Sequence, residues 1–222
     1  MDDMLLYGST DSGHSYKVRL FLLLARIPHR YERIDLDLPR AERPPAFRAA
    51  SQFGEVPVLV DGGRAHCQSN AILMHLAQRT GQMSGAASEQ ASVTEWLYWE
   101  ANRVGFSVPN LRYARVWAPQ PAQVLAYLHA RASADLSTLD TFLEGRQFLV
   151  ASGPTIADLS CSAYLHWLDQ AGLPTIGHPN LTRWLDRIRA LSGWQHPDRA
   201  MQSDSGAADA GTSPGGLARA RP

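Results

Sequence analysis

The sequence predicts a small α/β domain followed by an all-α domain. Strand-like and helix-like apolar patterns alternate within the first 80 residues, which is typical of a small α/β domain. Beyond residue 90 the apolar residues recur almost only at helical spacing. A segment rich in Gly, Ser and Ala, residues 80–90, separates the two patterns. We therefore predict domains at residues 1–80 and 88–200, joined by this linker.

The elements of the first domain follow from local spacing. Residues 4–7 form an apolar run that ends at a GSTDSG loop, which predicts a strand. Apolar residues at helical spacing between 16 and 27 predict a helix that ends at Pro28. Alternation of apolar residues with aspartates over 34–38 predicts a second strand. Residues 39–51 predict a loop with at most a short helix.

A hairpin and a helix complete the first domain. Residues 56–60 and 64–67 flank a DGG turn, which predicts two antiparallel strands. Pro57 lies just inside the first of them, although proline cannot donate to a strand ladder. A helix is predicted to begin near Ser69. At the other end of the chain, residues 203–222 contain one leucine and no aromatic residue, which predicts a disordered tail.

Composition argues against several function classes. Acidic and basic side chains balance at 21 each, so nothing indicates a nucleic acid or an anionic membrane as partner. The longest apolar run, residues 20–25, is too short to span a bilayer, and Asp2 and Asp3 are unlike the start of a signal peptide. We expect a cytoplasmic protein that acts on a small ligand. Cys67 and Cys161 form neither a disulfide framework nor a metal motif, and we expect both to be buried thiols.

Three segments resemble the glutathione transferase superfamily. SGHSYKVRL opens the first helix, GEVPVLVDGG holds the hairpin, and QSNAILMHLA begins the next helix, in the order and spacing of this family. A fourth, GPTIADLSCSAYL, is similar to the family's helix-capping segment, with Thr155 and Asp158 as a capping box. The chain is identified as a member of the serine-type, bacterial-like cytosolic class. The resemblance covers residues 4–200 and implies a thioredoxin-like N-terminal domain, an all-helical C-terminal domain and a homodimer.

The resemblance implies a glutathione site in the first domain. In this family the residue before the strand proline, here Val56, offers its backbone to the cysteinyl unit, and the proline, here Pro57, is typically cis. Gln68 and Ser69 are expected to hold the γ-glutamyl end at a helix N-terminus. For Ser69, a plain N-cap is the alternative. Glutathione is expected as co-substrate, without a metal.

Ser12 matches the position at which serine-type members keep their thiol-activating hydroxyl. Its hydrogen bond to the sulfur would lower a thiol pKa that is about 8.5 in the free compound. The alternatives are a turn or cap role for Ser12, Ser15 as a second candidate that also fits an N-cap, and Tyr7, which also fits the core. His14 is a further site candidate, with its cation disfavoured by the helix dipole. The loop has no cysteine, which disfavours disulfide reduction through a protein thiol.

Two departures from the family pattern bear on the affinity for glutathione. Ser51 and Gln52 stand where the family commonly has Asn-Pro, and Glu55 stands where Lys or Gln is common. Glu55 would repel the glycine carboxylate of glutathione unless Arg40 or Arg43 compensates.

The second substrate site is expected in the helical domain. A segment rich in aromatic residues and arginine, 96–117, supplies Arg112 and Tyr113 as candidate contacts for a small hydrophobic electrophile. Core packing or a dimer surface is the alternative for such aromatics. The leading hypothesis is a detoxifying transferase that conjugates a glutathione thiolate, stabilised by Ser12, to an electrophile. The alternative is a non-catalytic module of the same fold, which Glu55 favours.

Overall fold

The computed structural model describes residues 4–174 and 176–202, and the predicted disordered tail at 203–222 lies outside them. Four strands form one mixed sheet in the order β2-β1-β3-β4. The strands are β1 (Met4–Gly8), β2 (His29–Arg33), β3 (Val58–Asp61) and β4 (Arg64–Cys67). β1 pairs in parallel with β2 and antiparallel with β3, and β3 and β4 form the predicted hairpin.

Helices cover both faces of this sheet. They are α1 (Gly13–Leu24), α2 (Pro45–Ala50) and α3 (Ser69–Thr80). Because successive side chains of a strand point to opposite faces, Leu6 of β1 packs in the large core with α1 and α3, whereas Tyr7 packs with Phe47 of α2. The predicted thioredoxin-like arrangement is confirmed.

The regular elements described beyond residue 90 are all helical, as predicted. They are α4 (Gln90–Asn102), α5 (Val104–Val116), α6 (Ala122–Phe142), α7 (Ile156–Ser162), α8 (Pro179–Arg189) and α9 (Pro197–Ala200), with a 3-10 helix at Ala163–Trp167. One continuous apolar core joins them to the sheet, through residues such as Leu20 and Leu97. In the described part of the chain, no helix is both long and apolar enough to cross a membrane.

The second strand lies earlier than the alternating pattern predicted. β2 ends at Arg33, and residues 34–38 lie outside the strand. The reason is the register with β1, whose last residue, Gly8, is the partner of Arg33. Ile34 still donates to the Gly8 carbonyl at 2.7 Å and is buried, whereas Leu38 is exposed. A strand's extent therefore depends on its neighbour, which a local pattern does not reveal.

The predicted capping box is present at the start of α7, and we expect it to contribute strongly to stability. The buried Asp158 carboxylate accepts from the backbone N–H groups of Thr155 (2.9 Å) and Leu149 (3.0 Å) and from the Trp184 indole (2.8 Å). Asp158→Ala leaves these donors without their acceptor, so the free energy of unfolding should fall by about 2–3 kcal/mol in denaturant unfolding. Asp186→Ala, at an exposed position, should change it by less than about 0.5 kcal/mol. Equal effects in the two variants would contradict this role.

Candidate functional site

A cavity of about 550 Å³ lies between the sheet domain and helices α4 and α5. The residues before β3, the end of β4 and the start of α3 form one wall, and α4 and α5 form the other. The lining side chains from the first domain that bear on function are those of His14, Glu55, Val56, Pro57, Gln68 and Ser69. Six of the residues proposed from the sequence therefore meet in one cavity.

The loop before β3 presents its backbone at the cavity. The Val56–Pro57 peptide bond is cis, as the family resemblance implied. Val56 lines the cavity, and the pairing of β3 with β1 begins only at Val58. Val56 therefore lies at the cavity, outside the sheet ladder, where a ligand in the cavity could contact it.

The start of α3 forms the adjoining wall. Gln68, with a positive φ of 68°, takes the N-cap position, so Ser69 is the first helical residue and the plain N-cap alternative for Ser69 is wrong. Ser69, Asn70 and Ala71 all line the cavity. The partial positive charge of a helix N-terminus thus lies at the wall, where it favours a bound carboxylate.

Glu55 lies beside Gln68 in this wall. The Gln68 side-chain amide donates to the Glu55 carboxylate at 3.5 Å. The Ser51 hydroxyl fixes the Glu55 backbone on both sides, donating to its carbonyl at 2.9 Å and accepting from its N–H at 3.0 Å. Ser51 therefore has a defined structural role although it departs from the family's Asn-Pro pattern.

Both arginines proposed to offset Glu55 lie against the preceding residue, Gly54. Arg43 donates to the Gly54 carbonyl at 2.8 Å and to the carbonyls of two residues earlier in the chain, Leu36 and Leu38. The Arg40 guanidinium packs on the Gly54 α-carbon side, where an added Cβ would meet it at 3.2–3.3 Å. Positive charge thus lies next to the Glu55 loop.

Ser12 is the N-cap of α1. Its Oγ accepts from the backbone N–H of Ser15 at 3.1 Å. Ser15 is buried inside the helix, where its Oγ accepts from the Ser9 N–H at 3.3 Å, so the sequence-based N-cap role for Ser15 is wrong. A hydroxyl oxygen that accepts one hydrogen bond keeps its own proton to donate. Capping and thiolate stabilisation by Ser12 are therefore compatible, although Ser12 itself is not among the residues that line the cavity.

His14, two residues further, does line the cavity. Its Nδ1 is buried and has no hydrogen-bond partner among the described residues. Burial, with the nearby Lys17 ammonium, lowers the pKa of His14 from 6.5 to about 4. The imidazolium form of His14 is disfavoured, as predicted from the sequence, but the main cause is burial and not the helix dipole. At neutral pH the ring is an uncharged polar group at the cavity.

Tyr7 is a core residue, which was the alternative to a role in activating the thiol. It is buried and meets Phe47 edge-on, with ring centroids 5.6 Å apart. It lies in the small cluster on the α2 side of the sheet and is not among the cavity residues.

Arg112 and Tyr113 do not line the cavity. Arg112 is buried between the rings of Trp167 and Trp117, 4.1 and 4.8 Å from its Cζ, and donates to the Asp11 carbonyl at 2.8 Å. It therefore braces the loop that precedes Ser12. Tyr113 is half-exposed and stacks on Trp117.

The aromatic side chains on the helical wall are Tyr98 and Phe106. Both are large and exposed, at 75% and 43%. Phe106 belongs to the aromatic segment noted in the sequence, but its role could not be told from that of the buried residues around it. The signal that distinguishes Tyr98 and Phe106 is a position outside the buried stripes of their helices, which include Leu97 of α4 and Val108 of α5.

A buried polar network, which no pattern in the sequence indicates, lies beside the cavity. Lys17 of α1 donates to Glu100 of α4 (2.9 Å), Asn70 of α3 (2.8 Å) and Ser160 of α7 (2.9 Å). Lys17 and Glu100 are 0% and 1% exposed, and Glu100 and Asn70 line the cavity. Burial raises the pKa of Glu100, but Lys17 and the hydrogen bonds from Lys17 and Asn70 outweigh it and lower that pKa.

The two cysteines differ in their surroundings. Cys161 is buried as predicted, and burial raises the pKa of its thiol well above the ordinary value. Cys67 is only half-buried, which corrects the prediction, because it ends β4 at the cavity wall. Within residues 4–174 and 176–202, no group of three or more His, Cys, Asp and Glu side chains is placed to hold a metal ion.

Comparison with known proteins identifies the two domains. The chain matches the glutathione S-transferase N-terminal domain over residues 6–84 and the C-terminal domain over residues 106–187. It is 30% identical over 160 residues to glutathione S-transferase theta-1 of Mus musculus, 67% of each chain. It is 27% identical over 198 residues to the disulfide-bond oxidoreductase YfcG of Escherichia coli K12, covering 84% of this chain and 89% of that one.

A solved structure agrees with both matches. The crystal structure of a glutathione S-transferase from Xanthobacter autotrophicus Py2 has 31% sequence identity and a TM-score of 0.79, over 87% of this chain and 96% of that chain. The chain therefore belongs to the glutathione transferase superfamily, with its N-terminal and C-terminal domains in that order.

Proposed function

We propose that this protein is a glutathione transferase that joins the glutathione thiolate to a small hydrophobic electrophile, with Ser12 stabilising the thiolate. The observation that carries the proposal is the pair of unlike walls of the interdomain cavity. One wall offers backbone and polar groups at Val56 and Ser69, and the other offers the aromatic rings of Tyr98 and Phe106. A peptide thiol fits the first wall and an apolar electrophile fits the second.

Glutathione is assigned to the sheet-domain wall. The Val56 backbone would pair with the cysteinyl unit, as an added strand segment. Gln68 and Ser69 would hold the γ-glutamyl end at the N-terminus of α3. His14 and Glu55 would lie beside this ligand. The cis bond to Pro57 would set the direction in which the chain passes from Val56 into β3.

The chemistry requires a thiolate at neutral pH. Each unit by which the bound thiol pKa falls requires about 1.4 kcal/mol of preferential thiolate stabilisation. A hydrogen bond from the Ser12 hydroxyl to a charged acceptor, with the N-terminal end of α1, is of this size. The sulfur lone pair then forms a C–S bond while the leaving group departs with its electron pair, or an epoxide opens.

The electrophile is assigned to the helical wall at Tyr98 and Phe106, replacing Arg112 and Tyr113 as the expected contacts. A homodimer is the assembly that we expect, and detoxification in the cytoplasm is the role. Two exposed apolar side chains of the sheet domain, Phe53 and Met74, are compatible with a protein partner beside the cavity.

The second candidate function is a non-catalytic glutathione-binding module, and the contact between Gln68 and Glu55 favours it. The Gln68 amide donates to Glu55, and a γ-glutamyl group would have to compete for that amide. Weak glutathione binding would follow, and the fold would then serve assembly.

One titration separates the two candidates. Glutathione is added to the protein at a series of pH values while thiolate ultraviolet absorbance is followed, and conjugation to an activated aryl halide is measured in parallel. A bound thiol pKa well below about 8.5 together with conjugation supports the enzyme. Binding with an unchanged thiol pKa supports the module, and absence of binding overturns the glutathione site itself.

Gln68→Ala tests the γ-glutamyl assignment. Removing one hydrogen bond to a charged ligand group should raise the Kd for glutathione about 5- to 10-fold, as measured by calorimetry. Gln78→Ala, at an exposed position of the same helix, is the matched control and should leave the Kd unchanged. An equal Kd for both variants would remove Gln68 from the site.

A further inference from the structure

Arg112 connects the helical domain to the loop that carries Ser12. It lies on α5, and its side chain is only 3% exposed. Its Nη1 donates to the backbone carbonyl of Asp11 at 2.8 Å. The Asp11 carboxylate lies 3.7 Å from Nη2 but is 61% exposed, so solvent screens that ion pair. The hydrogen bond to the carbonyl is therefore the main link between Arg112 and the residue before Ser12.

The Arg112 guanidinium is itself held from several sides. Its Nε donates to the side-chain oxygen of Gln170 at 2.8 Å. Its Cζ lies 4.1 Å from the ring centroid of Trp167 and 4.8 Å from that of Trp117. The Trp167 indole is fixed in turn, because its Nε1 donates to the Asp198 carboxylate at 2.9 Å. A planar guanidinium packed on aromatic rings presents its donors in one defined direction.

The peptide group between Asp11 and Ser12 is hydrogen-bonded at both of its polar atoms. Its carbonyl accepts from Arg112, and its N–H donates to the Ser9 carbonyl at 3.2 Å. Because a peptide group is planar, these two hydrogen bonds fix the rotation of the plane that leads into Ser12. The Ser15 N–H then holds the Ser12 Oγ at 3.1 Å. The hydroxyl oxygen of Ser12 therefore has a defined position.

A second contact from the helical domain holds the other side of Ser12. The Tyr164 ring packs so closely on Gly13 that a Cβ built there would lie 2.7–2.8 Å from three ring carbons. Tyr164 and Trp167 belong to the same 3-10 helix, and their ring centroids are 6.2 Å apart. The residues before and after Ser12 are thus both held by the helical domain, one by a hydrogen bond and the other by ring packing.

We propose that Arg112 is a positioning residue that holds the Ser12 hydroxyl where it can donate to the glutathione sulfur. This rests on the proposed function, in which Ser12 stabilises the thiolate. Arg112 is not among the residues that line the cavity, so it acts on a ligand there through the Ser12 loop. A hydrogen bond weakens steeply when its angle departs from linearity, so a displaced loop stabilises the thiolate less. The helical domain then takes part in thiol activation as well as in binding the electrophile.

Arg112→Met tests this role because it removes the hydrogen bond to the Asp11 carbonyl and leaves an unbranched side chain between the two indoles. We expect the bound thiol pKa to rise by about half a unit to one unit, equivalent to a roughly 3- to 10-fold change in the ionisation equilibrium. The kcat measured below the bound thiol pKa should fall by the same factor, with little change in the KM for glutathione. At pH values above that pKa the rates of variant and wild type should converge.

Arg19→Met is the matched control. Arg19 is a buried arginine of α1 whose guanidinium stacks on the Tyr31 ring at 3.9 Å and donates to the Gln202 carbonyl at 2.8 Å. The variant therefore also loses a cation–ring contact and a hydrogen bond to a backbone carbonyl, but that carbonyl is not in the Ser12 loop. Its bound thiol pKa should equal that of the wild type. A rise of equal size in both variants would mean a general loss of rigidity and would overturn the proposal.

Arg112→Lys separates the position of the loop from the charge beside it. Lysine keeps the cation, but its ammonium lacks the planar fork that reaches the Asp11 carbonyl and Gln170 together. Positioning predicts that the bound thiol pKa rises in this variant as well. A wild-type pKa would mean that the charge alone is required, which would overturn the proposal. The lysine variant decides the question also if the methionine variant does not fold.

Ser12→Ala and the double variant with Arg112→Met separate the two levels of the argument. If Ser12→Ala leaves the bound thiol pKa unchanged, the proposed function fails, and this inference with it. If Ser12→Ala raises the pKa but the Arg112 variants do not, only the role of Arg112 is overturned. If Arg112→Met still raises the pKa when Ser12 is already alanine, Arg112 acts without Ser12, which also overturns the proposal. We expect no further rise in the double variant.

Discussion

Replacing Ser12 with alanine is expected to lower conjugation turnover tenfold or more while the affinity for glutathione changes little. The reason is that the Ser12 proton would interact with a charge that is present on the thiolate and absent from the thiol. Removing it should return the bound thiol pKa toward the free value of about 8.5. The measurements are initial rates with an aryl halide and thiolate absorbance, both against pH.

The capping role of Ser12 requires its own control. Because Ser12 Oγ accepts from Ser15, alanine should also cost about 1 kcal/mol of helix stability. Ser12→Asp keeps an N-cap but at neutral pH has no proton to donate and repels a thiolate. Ser12→Thr keeps both the cap and the hydroxyl. We expect the threonine variant to be active and the aspartate variant to be inactive.

The two accounts of Ser12 therefore give opposite results for aspartate. If Ser12 acts only as a cap and lies away from the sulfur, Ser12→Asp should conjugate glutathione about as fast as the wild type. If the hydroxyl stabilises the thiolate, Ser12→Asp should have a bound thiol pKa at least as high as that of Ser12→Ala. Activity in the aspartate variant would remove Ser12 from the chemistry.

Features fixed by short stretches of chain could be predicted from the sequence. The hairpin around the DGG turn, the helix beginning near Ser69 and the capping box at Thr155 each depend on a few neighbouring residues. The strand predicted at 34–38 failed because the extent of β2 is set by its pairing with β1. A local sequence pattern therefore predicts a turn, a cap or a helix start, but it does not predict where a strand ends when that end depends on pairing with a distant segment.

The same distinction explains the outcome at the candidate site. The six predicted residues that line the cavity lie in three short motifs, so resemblance could name His14, Val56, Gln68 and their neighbours. The Tyr164 ring packs on Gly13, far from it along the chain, and no pattern in the sequence joins the two residues. Arg112 was noticed as part of an aromatic segment, but only its contact with the Asp11 carbonyl shows that it braces a loop.

The buried pair of Lys17 and Glu100 is the clearest case of a feature that only the folded chain reveals. Each residue looks like an ordinary surface charge of an amphipathic helix. In the structure they are fully enclosed and connect helices α1 and α3 of the first domain with α4 and α7 of the second. Because Glu100 also lines the cavity, the stability of the domain contact and the shape of the site depend on the same pair.

Lys17→Met is expected to lower the free energy of unfolding by about 3–5 kcal/mol, because it leaves the Glu100 carboxylate buried without its cation. Denaturant unfolding at neutral pH measures this. Arg189→Met, which breaks the exposed pair between Arg189 and Asp186 at 2.9 Å, is the matched control and should cost less than about 1 kcal/mol. A loss in Lys17→Met no larger than in this control would contradict the argument.

Two further measurements test the cause of that loss. The double variant Lys17→Met, Glu100→Met removes both charges, so it should regain part of the stability lost by Lys17→Met alone.

Since the pKa of Glu100 is lowered in the folded protein, the unfolded chain binds its proton first as the pH falls. The contribution of Glu100 is therefore fully present above its ordinary pKa of 4.5 and is lost as the pH falls further, through its folded-state pKa. The stability difference between wild type and Glu100→Gln should shrink over that acid range, and a difference that stays constant there would show that charge is not its source.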